Sequence, residues 1–313
     1  MLRLIVRRTL LSVPLLFIVS TSTFVLVALI PGNIARTIVG SQATEQQYLS
    51  VRRGLGLNEP LYTRYWQWLE RALHGNLGLS LYSQQPVTSL VDSRLATTLS
   101  LVVGATVVSA LVGVAFGVAG ALHPGAIDRV VDGVALLGLS IPSFFLGFVL
   151  VEWFAVHFRL FPASGYVAFG VSPADWLESL VLPVVTLSAG GVAVIAKQTR
   201  DAMRDVLERP FIRMLRATGI PRRSIIFKHA LRSAAIPVVT IVGLVFVAVL
   251  GGSVVVESVF ALPGLGSLAV QATTQSDLPL IQGIALYFTV IVIVVNLIVD
   301  LAYGFLDPQV RVE

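Results

Sequence analysis

The chain has 313 residues, of which 56% are hydrophobic and only 12% charged, with a mean hydropathy of +0.86. Soluble domains carry about twice that charged fraction, so the composition describes an integral membrane protein. The net charge of +5 comes without a basic run interleaved with aromatics, which argues against nucleic-acid binding, and the lack of cysteine excludes disulfides and thiolate chemistry.

Arg3, Arg7 and Arg8 precede an apolar run from Thr9 to Ile30. That run is longer than the roughly 7–15-residue core of a cleaved signal, and no small-residue cleavage site follows, so residues 1–30 read as a retained N-terminal transmembrane helix. Residues 31–96 are too polar to span and read as an extracytoplasmic segment. They hold Tyr62, Tyr65, Trp66 and Trp68 with Arg64 and Arg71, a pattern that predicts a short amphipathic helix near the outer surface. Further spans of about 20 apolar residues are expected at roughly 97–122, 130–157, 178–199, 233–256 and 283–306. The second and third are joined only by His123 to Arg129, which makes them antiparallel neighbours.

Lys and Arg placement orients the chain. The N-terminus, the turn at 123–129, a basic stretch at 200–232 and the tail 307–313 with Arg311 fall inside. Segments 31–96, 158–177 and 257–282 fall outside, the last without any Lys or Arg. The six arginines of 31–96 do not overturn this, because the rule counts short loops and span ends. The expectation is an all-α polytopic membrane protein of six transmembrane helices with both termini cytoplasmic, a small external domain after the first helix, and a five-helix core over 97–306.

Within the spans, Gly104, Ser109, Gly113, Gly117 and Gly120 form a small-residue face that lets helix backbones approach. It serves packing within the chain or contact with another subunit. Pro142, between Ser140-Ile141 and Ser143, predicts a kink in the third span, either lining a pathway or purely structural. Glu152 beside Trp153 reads as interfacial, and Asn296 and Asp300 as partners for a neighbouring helix or the inner basic stretch. Glu257 ends the fifth span, and with Pro263, Gly264 and Gly266 it forms an outer turn. That turn is a gate, a contact for an external protein, or a structural re-entry.

The stretch from Lys197 to Arg232 carries ten basic residues against Asp201, Asp205 and Glu208. It reads as a structured cytoplasmic loop. Phe211, Ile212, Leu215, Thr218 and Gly219 approximate one helical face, with Arg213 and Arg216 on the other, and Gly219 with Pro221 ends that helix. A second helix, from Ser224 to Ala234, leads into the fifth span. Chemistry-bearing motifs are missing. Lys197 and Lys228 follow no glycine, so no Gly-Lys phosphate loop exists, and His74, His123, His157 and His229 are scattered without a metal-ligand or nucleophile pattern. The sequence offers no enzyme, no cofactor site and no metal site.

The run Ala217-Thr218-Gly219-Ile220-Pro221-Arg222-Arg223 through His229-Ala230-Leu231-Arg232-Ser233-Ala234 resembles the cytoplasmic coupling loop of ABC-importer permeases of the dipeptide/oligopeptide family. Gly219 falls on that family's loop glycine. The Glu-Ala-Ala opening of the wider superfamily falls here on Arg213, Met214 and Leu215, of which Met214 and Leu215 are bulkier. Other segments are similar in order and spacing: Leu29 to Asn33, Arg53 to Leu61, Gly75 to Ser80, Ser140 to Phe144, Phe161 to Tyr166, Glu257 to Gly266, Asp277 to Pro279, and Tyr303 to Arg311.

The resemblance implies a type I ABC importer permease fold in a bacterial cytoplasmic (inner) membrane. It implies a second homologous permease subunit, two nucleotide-binding ATPase subunits that carry ATP and Mg, an extracytoplasmic peptide-binding protein, and surrounding membrane lipid. On this resemblance Phe211, Arg213, Leu215, Arg216, Ala217, Gly219 and His229 belong to the ATPase-coupling loop. Ser140, Pro142 and Ser143 are candidates for the pathway, and Glu257, Pro263, Gly264 and Gly266 for the outer gate or binding-protein contact. The cargo is a di- or oligopeptide; nickel chelates or another small solute, and a stand-alone secondary carrier, are the alternatives.

Overall fold

The computed structural model describes residues 2–29, 44–54, 58–123 and 125–306. Expectations for 30–43, Leu55-Gly56-Leu57, Pro124 and the tail 307–313 lie outside the described residues. Among the described residues the fold is all-helical, with one isolated antiparallel bridge between Leu79 and Pro86. The helices are α1 (Leu2–Ala28), α2 (Glu45–Gly54), α3 (Leu61–Leu73), α4 (Val87–Leu122), α5 (Ala126–Ser140) and α6 (Ser143–Leu150), which runs on as a π-helical turn over Val151–His157. There follow α7 (Pro173–Leu207), α8 (Pro210–Ala217), α9 (Arg222–Val259, π-helical over Ile225–Ala230), α10 (Leu265–Thr274) and α11 (Leu278–Leu306).

By length and composition α4, α7, α9 and α11 are able to cross a membrane, and the α5–α6 pair makes a fifth if counted as one broken span. The apolar part of α1, Leu10–Leu26, is shorter. At 1.5 Å per residue it covers about 25 Å, just short of a hydrocarbon core of about 30 Å. The count of six is therefore not reached on these criteria. The third span also differs from expectation, because the helix breaks at Pro142 and does not merely kink: α5 and α6 meet at 99°. Pro142 forces the preceding Ile141 out of the helical region, to φ −85 and ψ 120, and itself becomes the N-cap of α6.

Two compact units divide the chain. One comprises Met1–Val6, Thr97–Gly266 and Val294–Glu313; the other comprises Arg7–Ala96 and Ser267–Ile293. In the first, α7 is the most enclosed of the four long apolar helices. It starts cleanly, with Pro173 at its first turn and the Ser172 hydroxyl accepting from the Asp175 N–H at 3.3 Å. The small-residue face of α4 packs against it within the same chain. A Cβ on Gly113 would lie 2.8 Å from Ile195 Cβ, and one on Gly117 2.5 Å from Thr199 Cβ and 2.6 Å from the Ala196 carbonyl oxygen. The Ser109 hydroxyl donates to the Ser188 carbonyl at 3.0 Å between them.

In the second unit α1 packs against α3, and the segment after α3 is clipped to the start of α11. The Asp277 carboxylate accepts from the Ser80 hydroxyl at 2.5 Å and the Leu81 N–H at 3.2 Å, and caps α11 through the Leu280 N–H at 3.3 Å.

The close α4–α7 approach gives a stability prediction. Gly117→Leu is expected to destabilise the chain by about 3 kcal/mol, the upper range for overpacking a filled interface. Gly133→Ala, where nothing lies within 4 Å of the new Cβ, leaves stability unchanged or raises it by about 0.5–1 kcal/mol. Thermal unfolding of both variants in detergent checks the contrast.

Candidate functional site

The basic stretch is more helical than a loop. Helix α7 runs on to Leu207, so Lys197, Arg200 and Arg204 lie on it and not in a connection. Arg200 is only 7% exposed, and its guanidinium is claimed by the chain itself. Nη1 donates to Asp128 at 2.9 Å and to Asp132, and Nε donates to Asp201 at 3.1 Å. Arg204 adds a contact to Asp128 at 2.9 Å. These arginines fasten the start of α5 to α7, so they are not presented to a partner as the charge count alone implies. The two aspartates on α5, one turn apart, supply the reason.

Between α7 and α9 stands the short helix α8. Arg209 precedes it in extended conformation and Pro210 occupies its first turn. It ends in a glycine-based cap: the Gly219 N–H donates to the Arg216 carbonyl at 3.1 Å, and the Ile220 N–H to the Leu215 carbonyl at 3.2 Å. Gly219 has φ +78, which an L side chain rarely adopts, and nothing lies within 4 Å of where a Cβ would be. Glycine is needed there for its backbone and not for space.

The faces of α8 differ from the expected division. Ile212 is fully buried and Leu215 half-buried, joining Met203, Val206, Ile225, Ile226 and Ala230 in a core beneath the helix. The outward surface is mixed: Phe211 and Met214 are exposed beside Arg213, Arg216 and Ala217, and Phe227 of α9 is exposed nearby in sequence. His229 is half-buried. The expected single apolar face is therefore split, with Ile212 and Leu215 anchoring α8 to its own chain and Phe211 left outside.

The outer turn is built around Glu257. This residue is 0% exposed in this structure. The Thr98 hydroxyl donates to Glu257 Oε1 at 2.7 Å and accepts from the Leu265 N–H at 2.7 Å. Gly264 and Gly266 are buried and press so closely on the Glu257 carboxyl that neither has room for a Cβ. Pro263 alone of the four candidates is exposed. At the Pro142 break, Ser140 and Pro142 are exposed and Ser143 half-buried.

Residues 95–312 match the family described as "binding-protein-dependent transport system inner membrane component", and residues 1–102 match its N-terminal membrane component. The chain belongs to this family. It is a transport permease and a multi-pass membrane protein. A probable peptide ABC transporter permease of Sinorhizobium fredii is 38% identical over 308 residues, covering 98% of both chains. A putative peptide transport system permease of Brucella abortus is 39% identical, covering 99% of both. The glutathione transport system permease GsiC of Escherichia coli strain K12 is also 39% identical, with 99% of both covered. The inward-facing MetNI methionine ABC transporter shares the fold, with a TM-score of 0.55 at 20% identity, over 70% of this chain and 97% of the other.

Within the permease, sequence reasoning missed Thr98, Asp128, Asp132 and the internal role of Arg200. Asp128 and Asp132 stand four apart at the start of a helix beside a short inner turn. That spacing was the available signal for a cation-binding helix face.

Proposed function

We propose that this permease is one transmembrane half of an ATP-driven, binding-protein-dependent importer of di- or oligopeptides in a bacterial inner membrane. Its partners are a second, homologous permease, two ATPase subunits that bind and hydrolyse ATP with Mg, and an external peptide-binding protein. In this reading α1, despite its shorter apolar stretch, and the broken α5–α6 pair each cross once, giving six passes with both ends in the cytoplasm. The observation that carries the reading is α8. It is a short helix anchored from below by Ile212 and Leu215, with Phe211, Met214, Arg213 and Arg216 directed outward and its end fixed by Gly219. A mixed aromatic and arginine surface on a rigid two-turn helix suits a groove on another protein.

In this proposal ATP-driven closure of the ATPase pair moves α8, and the anchored core passes that movement to α7 and α9 as a rigid-body shift. The exposed Pro263 at the outer turn meets the binding protein, while buried Glu257, Gly264 and Gly266 keep the turn in shape. The names of the relatives support a peptide cargo, glutathione being itself a small peptide.

The test uses the α8 cap. In vesicles holding the co-purified complex, Gly219→Val is expected to lower substrate-stimulated ATP hydrolysis and peptide uptake about tenfold. A β-branched residue in the left-handed region costs roughly 1–2 kcal/mol. Gly219→Asn, which tolerates that region, retains most of both activities. Full ATP-dependent uptake by Gly219→Val removes α8 as the coupling element, and uptake by this chain without an ATPase makes it a carrier.

A further inference from the structure

Helix α3 lies in the segment whose polarity places it outside the membrane, yet it docks on the apolar stretch of α1. Tyr65 packs edge-on against Phe17 and Phe24, at centroid distances of 5.8 and 5.4 Å, and its hydroxyl pairs with Ser20 Oγ at 2.9 Å. Trp68 reaches Phe24 from the next turn, 6.4 Å away. Phe17, Ser20 and Phe24 all fall inside the apolar stretch Leu10–Leu26. The contact is thus at a level of α1 that membrane insertion carries into the bilayer.

At about 100° per residue, Leu61, Tyr65, Trp68 and Ala72 share one face of α3, and Tyr65 and Trp68 are buried. Directly beside it, Tyr62, Trp66, Leu69 and Leu73 form a second apolar stripe. Tyr62 is 75%, Trp66 62% and Leu73 79% exposed. Together the two stripes make an apolar arc of roughly 160°, and Thr63, Gln67, Glu70 and Arg71 occupy the remainder. The polar side is internally ordered, with Gln67 Nε2 donating to Glu59 at 3.0 Å.

We infer that α3 is an interfacial helix whose Tyr62–Trp66–Leu69–Leu73 stripe is seated in the headgroup–acyl boundary of the bilayer. Three observations favour lipid over a protein partner. The helix it docks on, α1, itself leaves Leu10, Val13, Ile18 and Leu26 uncovered. Its aromatics are Trp and Tyr, the pair that concentrates at membrane interfaces. The helix is strongly amphipathic with low net apolarity, the form of a helix lying in the interface plane. Arg64, with its guanidinium over the Phe24 ring at 5.9 Å, borders the buried face where the polar side begins.

The inference rests on the membrane assignment of the family and not on the cargo. The chain contains no cysteine, so single nitroxide labels can be placed on the full-length protein without removing native residues. Leu73→Cys, Glu70→Cys and Leu26→Cys are compared in phosphatidylethanolamine–phosphatidylglycerol vesicles, the chain being kept with its co-purifying partners. Collision with oxygen is measured against collision with a water-soluble nickel chelate. The expected result is an oxygen-to-nickel ratio several-fold higher at 73 than at 70, approaching that at 26. Free nickel access at 73 places the stripe in water, and exclusion of both reagents there places it under protein; either overturns the inference. Nickel access at 26 as well would instead remove α1 from the bilayer, separating that failure from the first.

Discussion

Replacing Arg200 with methionine is expected to lower the stability of the purified permease by about 2–3 kcal/mol, and Arg200→Lys by about half as much. Removing one partner of a buried ion pair costs roughly 3–5 kcal/mol when the other charge is left in the interior. Here the guanidinium is 7% exposed, but the Asp132 and Asp201 side chains are about half exposed, at 51% and 50%. The orphaned carboxylates can partly hydrate, which holds the loss below the full figure. Lysine keeps the charge yet cannot fork to Asp128 and Asp132 from Nη1 while Nε holds Asp201. Adding Asp128→Asn and Asp132→Asn to Arg200→Met recovers part of the loss, because the remaining repulsion is then relieved. Thermal unfolding of the set in detergent, at low and high salt, reads this directly. An unchanged melting temperature for Arg200→Met alone would show that the cluster is a solvated ornament of the surface.

The same cluster shows where sequence reading ends. A count of basic residues over Lys197–Arg232 has no access to Asp128 and Asp132, which lie 72 and 68 positions away from Arg200. A charge can be exposed for a partner or consumed within the chain, and only the long-range pairing decides. The end of helix α8 was legible because it is local: Gly219 closes it through backbone geometry that the residue type alone dictates, whereas Pro210 at its first turn is a start signal the sequence reading left unused. Helix α3 was legible for the same reason, as a period of about 3.6 in its aromatics.

Pro142 was half legible. Its position guarantees a disturbance, but a break of 99° needs each half to have its own seat. Gly138 of α5 would meet the Ala189 carbonyl at 2.9 Å if it carried a Cβ, whereas Gly147 of α6 faces Phe260, Val259 and Thr186. Both halves seat on α7, α5 at Ala189 and α6 at Thr186, while α6 alone also reaches Val259 and Phe260 at the end of α9, and none of these seats is adjacent in sequence.

Glu257→Ala is expected to produce the largest loss at the outer turn, at least about 3 kcal/mol, with the 260–266 segment becoming susceptible to protease. Two effects add. The variant empties the space against which Gly264 and Gly266 close, a large-to-small change worth about 2–5 kcal/mol in a site that cannot collapse. It also strips the buried Thr98 hydroxyl of its acceptor at 2.7 Å, and a stranded buried polar group costs roughly 1–3 kcal/mol. Thr98 in turn holds the Leu265 N–H, so the loosening passes to the start of α10. Glu257→Gln preserves the volume and an oxygen for Thr98, and is expected to lose no more than about 1 kcal/mol. Gly264→Val acts from the other side, driving a side chain into the carboxyl, and resembles the alanine variant in effect. The ranking alanine and valine far below glutamine is what a buried scaffold for the turn requires. If instead glutamine and alanine lowered binding-protein-stimulated transport equally while both left stability and protease resistance intact, Glu257 would be acting as a contact or gate group, and the buried arrangement with Thr98 would not be what fixes the turn.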